Sequence, residues 1–299
     1  MKLRSKLFYA YVAFLLVYAG FVLLPAPQQA VLLQYHLSAT GLRLIDLTVV
    51  LILAVIWFAG FYGFAKLNSY TSLIRQEKDG KQIAKLTKGV FFLVLWLPVS
   101  STLSAILNFA AAKHPGMLPA STIINNYVSL LIPLIGFIFI SEGAYGFSGL
   151  IRQRPSSRVM HGLAIPLIYI GLIYSHLVIT TTGRDMVYHL SLWWVMLTLV
   201  APYIYMWLIG LVATYQIYYY RQKVTGIVYR EGWTFLALGI CWLVVLSIGF
   251  QYLTTLTVHL RHLSIYALLA LIYGLLLVLA TGFILIAFGA RKLQKIEEV

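Results

Sequence analysis

Charge is scarce in this chain. Of its 299 residues only 10% are Asp, Glu, Lys or Arg, where a water-facing domain carries about 25%. That is too little to cover an aqueous surface, which excludes an ordinary soluble globule. Acidic residues are rarer still: eight Asp and Glu stand against 22 Lys and Arg, a formal net charge of +14. There is a single cysteine, Cys241. It excludes an intramolecular disulfide and cannot anchor a cysteine-based metal centre alone.

Several motifs are missing too. With no P-loop and no large soluble domain, an ATPase or kinase has nothing to rest on, and no HExxH zinc pair occurs. Lysines lie only at the ends of apolar runs, such as Lys66, so a retinal Schiff base has no mid-membrane partner. Only His176 lies within a run, which leaves a bis-histidine haem without its second ligand. Gly146-Phe147-Ser148-Gly149 reproduces the GxSG of intramembrane serine proteases. Nearly all histidines are expected at the opposite membrane face, however, and a nucleophile needs its base within hydrogen-bonding reach. The match is set aside as accidental.

What the chain does have is apolar length. Hydrophobic residues make up 61% of it and the mean hydropathy is +0.89. Runs of about 20 residues, enough to cross a hydrocarbon core as helix, fall near 7–24, 43–66, 89–110, 126–150, 160–180, 191–216, 233–255 and 265–290. The expectation is an all-α integral membrane protein of eight transmembrane helices.

The connections alternate in charge. Lys2, Arg4 and Lys6 precede span 1; Lys66, Arg75, Lys78, Lys81, Lys85 and Lys88 fall between spans 2 and 3. Arg152, Arg154 and Arg158, then Arg221, Lys223 and Arg230, then Arg291, Lys292 and Lys295 occupy the remaining connections of that side. The other side holds only Arg43, Lys113, Arg184 and Arg261. Such a bias across short loops places both termini in the cytoplasm by the positive-inside rule, in a plasma (cytoplasmic) membrane. The basic excess therefore calls for anionic inner-leaflet lipid rather than nucleic acid.

The halves resemble each other. "YHLS" occurs at Tyr35–Ser38 and again at Tyr188–Ser191. Trp57-Phe58-Ala59-Gly60 matches Trp207-Leu208-Ile209-Gly210, and Tyr70 falls opposite Tyr220. Trp96 then falls opposite Trp242, Gly143 opposite Gly282 and Arg152 opposite Arg291, the offset shrinking along the chain as shorter loops in the second copy would give. Residues 1–152 and 153–299 are thus expected to be two four-span repeats. An even span number makes them parallel, related by a pseudo-twofold along the membrane normal. Span 1, as the counterpart of span 5, is then a retained helix rather than a cleaved signal peptide.

Candidate chemistry gathers in three places. His36 and His189, in the two "YHLS" copies, take quasi-equivalent outer positions; duplication alone explains them, and a metal bound by outer-face histidines is the alternative. Glu142 is the one acidic residue well inside a span, where a carboxylate defaults to a functional role such as proton or cation coupling. Span 3 carries a polar band with Ser100, Ser101, Ser104 and Asn108, and span 7 a matching one with Gln251 and Tyr252. Pro98, Pro133, Pro166 and Pro202 would kink four successive spans and free carbonyls. Kinked spans and a polar outer half suit a bundle that transports or binds a small solute or ion from the outer side. A non-catalytic subunit or sensor engaging a protein partner through its cytoplasmic loops is the alternative, and a metal-dependent membrane enzyme the third. The basic segment between spans 2 and 3 is expected as short amphipathic pieces on the inner leaflet.

Overall fold

Residues 2–22, 39–76, 80–114, 131–144, 146, 201–223, 226–244 and 265–297 are described by the computed structural model. Seven helices account for them: α1 (Lys2–Val22), α2 (Ala39–Leu73), α3 (Gly80–Lys113), α4 (Leu131–Ala144), α5 (Ala201–Lys223), α6 (Ile227–Trp242) and α7 (Ile265–Glu297). No strand occurs among the described residues. Segments Ser5–Val22, Arg43–Leu73, Gly80–Leu107 and Leu269–Gln294 are long and apolar enough to cross a membrane, and α4 is apolar but shorter. The fifth expected span, near 160–180, lies outside the described residues.

The outer surface identifies the solvent. Along α2, Leu44, Leu47, Leu51, Val55 and Phe58 recur at helical spacing with 45–59% of each exposed. Leu277, Ile284 and Phe288 on α7, and Ile204, Leu208, Val212 and Tyr215 on α5, form similar stripes, each residue 37–65% exposed. Stripes this long would drive association in water; in hydrocarbon they cost nothing. This is a membrane protein.

Helix α2 sits at the centre, packing on α1, α3 and α7, while α7 also packs on α6 and α6 on α5. The contacts set direction. Gly60 meets Phe283 and Gly63 meets Ala287, so α2 and α7 run parallel. Gly89 meets Gly136 while Gly143 meets Leu86, so α3 and α4 run antiparallel; Gly239 meets Gly282 and Gly289 meets Leu236, so α6 and α7 do too. Helix α1 places Leu7 and Phe8 beside Lys66 of α2, and Phe21 against Phe109 of α3 at a ring distance of 5.5 Å. These directions gather the start of α1, the α2–α3 and α5–α6 turns and the ends of α4 and α7 at one end of the bundle. Among the described residues that end carries Lys66, Arg75, Lys81, Lys85, Arg221, Arg230, Arg291 and Lys292, whereas Arg43 and Lys113 lie at the other end.

The glycines explain how the helices come so close. A β-carbon at Gly63 would stand 3.0 Å from Cα of Ala287. One at Gly239 would stand 2.8 Å from the carbonyl oxygen of Gly282, and one at Gly89 2.6 Å from that of Gly136. Lipid tails give apolar side chains no incentive to associate, so membrane helices hold together by close backbone approach at small residues. The largest fully buried side chains, Trp57, Trp233, Phe137 and Phe283, fill the space beside these seams.

One expectation about the 2–3 segment is overturned. It does not form separate pieces on the leaflet: α2 runs on to Leu73 and α3 starts at Gly80. Leu67, Tyr70, Ile74, Ile83 and Leu86 are buried, and a hydrogen bond of 2.6 Å joins the Thr71 and Thr87 hydroxyls. The amphipathic spacing was real, but its apolar face is satisfied by the partner helix instead of by lipid. At the α5–α6 turn Gly226 adopts φ +104°, a left-handed conformation in which a side chain would clash with its own backbone.

Candidate functional site

Helix α3 changes character part-way along. Leu86, Gly89 and Leu93 form the row that meets α4. Continuing at steps of three and four residues, the same face carries Leu97, Ser100 and Ser104. The seam is therefore glycine-tight and apolar toward the basic end, and polar beyond Pro98. Proline lacks the N–H that would bond the Val94 carbonyl, and Pro98 itself is buried inside the helix. Ser101 and Ser104 are half-buried, and Ser100 Oγ is buried without a hydrogen-bond partner among the described residues.

The adjacent face of α3 adds to this. Val94, Pro98, Thr102 and Ala105 are buried in one row, and Val94 meets Gly60 of α2. Thr102 Oγ1 has no partner among the described residues, and neither has Nε1 of Trp57, one turn beyond Gly60 on α2. An unmade bond to a buried hydroxyl or indole N–H costs about 1–3 kcal/mol, so such groups in a span invite a water or a ligand. Trp57 is 1% exposed whereas its sequence match Trp207 is 37% exposed. The two tryptophans thus do different work, and sequence matching alone left Trp57 out of the candidate set. A buried indole whose N–H lacks a neighbour leaves no trace in the sequence.

Glu142 has a partner. Its carboxylate lies 3.2 Å from the Lys85 ammonium, the two side chains being 23% and 50% exposed. The charge that looked costly inside a span sits at the basic end, where α3 supplies a cation. A second pair, Glu231 of α6 with Lys292 of α7, closes the corresponding end of the other packed helix pair.

The remaining candidates are not brought together here. His36, His189, Gln251 and Tyr252 lie outside the described residues, as does the side chain of Asn108. His114, exposed, follows the last residue of α3. No three His, Cys, Asp or Glu side chains cluster among the described residues. Comparison of the chain with family models, curated proteins and solved structures returns no match.

Proposed function

We propose that this protein binds, and transports, a small solute or ion that enters from the outer side, in a bundle of eight spans built from two parallel repeats. The observation that carries the reading is the change along α3 at Pro98: a seam shut by glycine contacts toward the basic end, and hydroxyls at Ser100, Ser101 and Thr102 beyond it. With the basic end cytoplasmic by the positive-inside rule, the polar half of the seam faces the outer side, where a solute cavity would form, and the glycine-tight half faces the cytoplasm. The Lys85–Glu142 and Glu231–Lys292 pairs reinforce that closure. Glu142 then couples to a cation or proton only if its pairing with Lys85 breaks.

The repeat draws support from recurring contacts. Gly136 meets Gly89 and Leu93 as Gly282 meets Gly239 and Leu243. Gly143 rests on Leu86 as Gly289 rests on Leu236, and Gly60 on Val94 as Gly210 on Val244. One offset serves every pair on α2, α3, α5 and α6, and a second serves α4 and α7. This moves the register: Gly143 pairs with Gly289 rather than Gly282, and Glu142 with Phe288. In the new register Gln251 corresponds to Ser101 and Tyr252 to Thr102, so both halves contribute to the cavity, with His36 and His189 at its outer rim, where a metal would bind if they serve as ligands.

Cysteine accessibility tests the reading without knowing the solute. In a Cys241→Ala background, an impermeant cationic thiol reagent added to intact cells should label Ser104→Cys. It should spare Leu93→Cys in the tight seam and Lys81→Cys at the basic end. Labelling of Lys81→Cys would reverse the orientation, and protection of Ser104→Cys would remove the outward cavity.

A second reading, a membrane subunit or sensor, draws on a different observation. Helices α2 and α3 continue beyond the apolar runs 43–66 and 89–110 as a packed pair at the basic end, a surface for a protein partner. Co-purification that survives Ser104 substitutions but is lost on changing Arg75 and Lys81 would favour it.

A further inference from the structure

Between α1 and α2, at the basic end, lies a cleft of about 230 Å³. Its walls are Leu7, Phe8, Tyr11, Phe58, Phe61 and Tyr62, with Lys66 at one edge. Its floor is well ordered. The Tyr11 hydroxyl donates to the Ala54 carbonyl at 3.2 Å, and its ring meets those of Phe58 and Phe61 edge-on at 6.0 and 6.2 Å. The Lys66 ammonium lies over the Tyr62 ring, 5.7 Å from its centre. Lys6, exposed, precedes the first wall residue.

We propose that this cleft is a binding site for one anionic phospholipid, with an acyl chain in the aromatic trough and the headgroup phosphate at Lys66. The inference rests on the membrane reading of the fold, and makes specific the general preference for anionic lipid that the basic end implies. Three properties point to this occupant. The volume is below the roughly 300–1,000 Å³ of pockets that enclose a drug-sized molecule, but suits a length of single chain. The trough offers hydrocarbon and aromatic faces, with no acidic side chain among the described residues that line it. A cation stands at one edge of the trough, complementary to a headgroup whose phosphate charge is not neutralised by a quaternary amine. The Lys66 stem can lie along apolar surface while its ammonium reaches the headgroup level.

The test uses the delipidated full-length protein in detergent, titrated with phosphatidylglycerol or phosphatidylcholine and read by native mass spectrometry and melting temperature. A basic residue at an anionic surface is worth about 1 kcal/mol, so phosphatidylglycerol should bind about fivefold tighter. Lys66→Gln should bring its affinity to the phosphatidylcholine level. Ala65→Trp, which fills the cleft, should weaken both lipids; if that variant fails to fold, the Lys66→Gln comparison decides alone. Equal affinities in the wild type, or an unchanged preference in Lys66→Gln, overturn the site. So does an equal gain from glycerol phosphate, which has the headgroup and no chain. None of these outcomes depends on the orientation or the solute cavity, and failure of the membrane reading would show separately as a protein that melts identically with and without any lipid.

Discussion

Single glycines decide how closely these helices approach. At Gly63 an added β-carbon would meet the backbone of Ala287, at 3.0 Å from Cα and 3.2 Å from N, and neither atom can turn aside as a flexible side chain would. Gly63→Leu should therefore lower stability by about 1–3 kcal/mol, the range of overpacked cores, and separate α2 from α7. Gly20 on α1 has nothing within 4 Å of the same hypothetical atom. Gly20→Ala should be neutral or stabilising by up to about 1 kcal/mol through helix propensity. Melting of the two variants in one detergent checks the contrast; equal losses would mean that close approach is not what Gly63 provides. The unpaired groups belong to this scale as well. Ser100 Oγ, Thr102 Oγ1 and Trp57 Nε1 are buried donors without partners among the described residues, and that is a property of geometry, invisible in the letters S, T and W.

At the scale of elements, two helix pairs, α3 with α4 and α6 with α7, are each closed by glycine contacts and an ion pair at the basic end. The ion pairs have opposite polarity: α3 supplies Lys85 to Glu142 of α4, whereas α6 supplies Glu231 to Lys292 of α7. In the proposed register Lys85 and Glu142 correspond to Phe235 and Phe288, whose rings lie 6.5 Å apart, so the two ion pairs sit one turn apart and distinguish otherwise similar helix pairs. Glu142→Lys should cost up to about 1 kcal/mol, the limit for partly exposed pairs, and Lys85→Glu on top of it should restore the melting temperature. A double variant no more stable than the single one would show that the pair has no mutual energy. The described helices were legible in apolar run length, and the gathering of the α2–α3 and α5–α6 turns at one end in loop charge. Their ends were not. Leu67, Tyr70, Ile74, Ile83 and Leu86 have an amphipathic spacing that fits a leaflet or a partner helix equally well, and only packing decides. The Lys85–Glu142 pair was illegible for a related reason, since its members are far apart in the chain and belong to helices whose rotation no periodicity fixes.

For the whole molecule, the proposed pseudo-twofold maps α2 onto α5 and α7 onto α4. It thereby predicts an interface from one that is visible. The register that equates Gly89 with Gly239 and Gly143 with Gly289 equates Gly63 with Ala213 and Ala287 with Ser141. Ala213 and Ser141 are both buried, and Ser141 Oγ has no hydrogen-bond partner among the described residues. In the sequence "YHLS" and the Trp57–Trp207 match suggest a duplication, but register drifts wherever loops differ in length: the proposed register sets Trp96 against Leu246 rather than Trp242, and Gly143 against Gly289 rather than Gly282. Contacts between backbones restore it because glycine seams tolerate no slippage. The most direct measurement of the account is disulfide formation in membranes by Ser141→Cys/Ala213→Cys, in a Cys241→Ala background, beside Gly63→Cys/Ala287→Cys as the reference pair. Two parallel repeats predict rapid cross-linking of both pairs on mild oxidation. Cross-linking of the Gly63–Ala287 pair alone, with the other variant equally well folded, would contradict them.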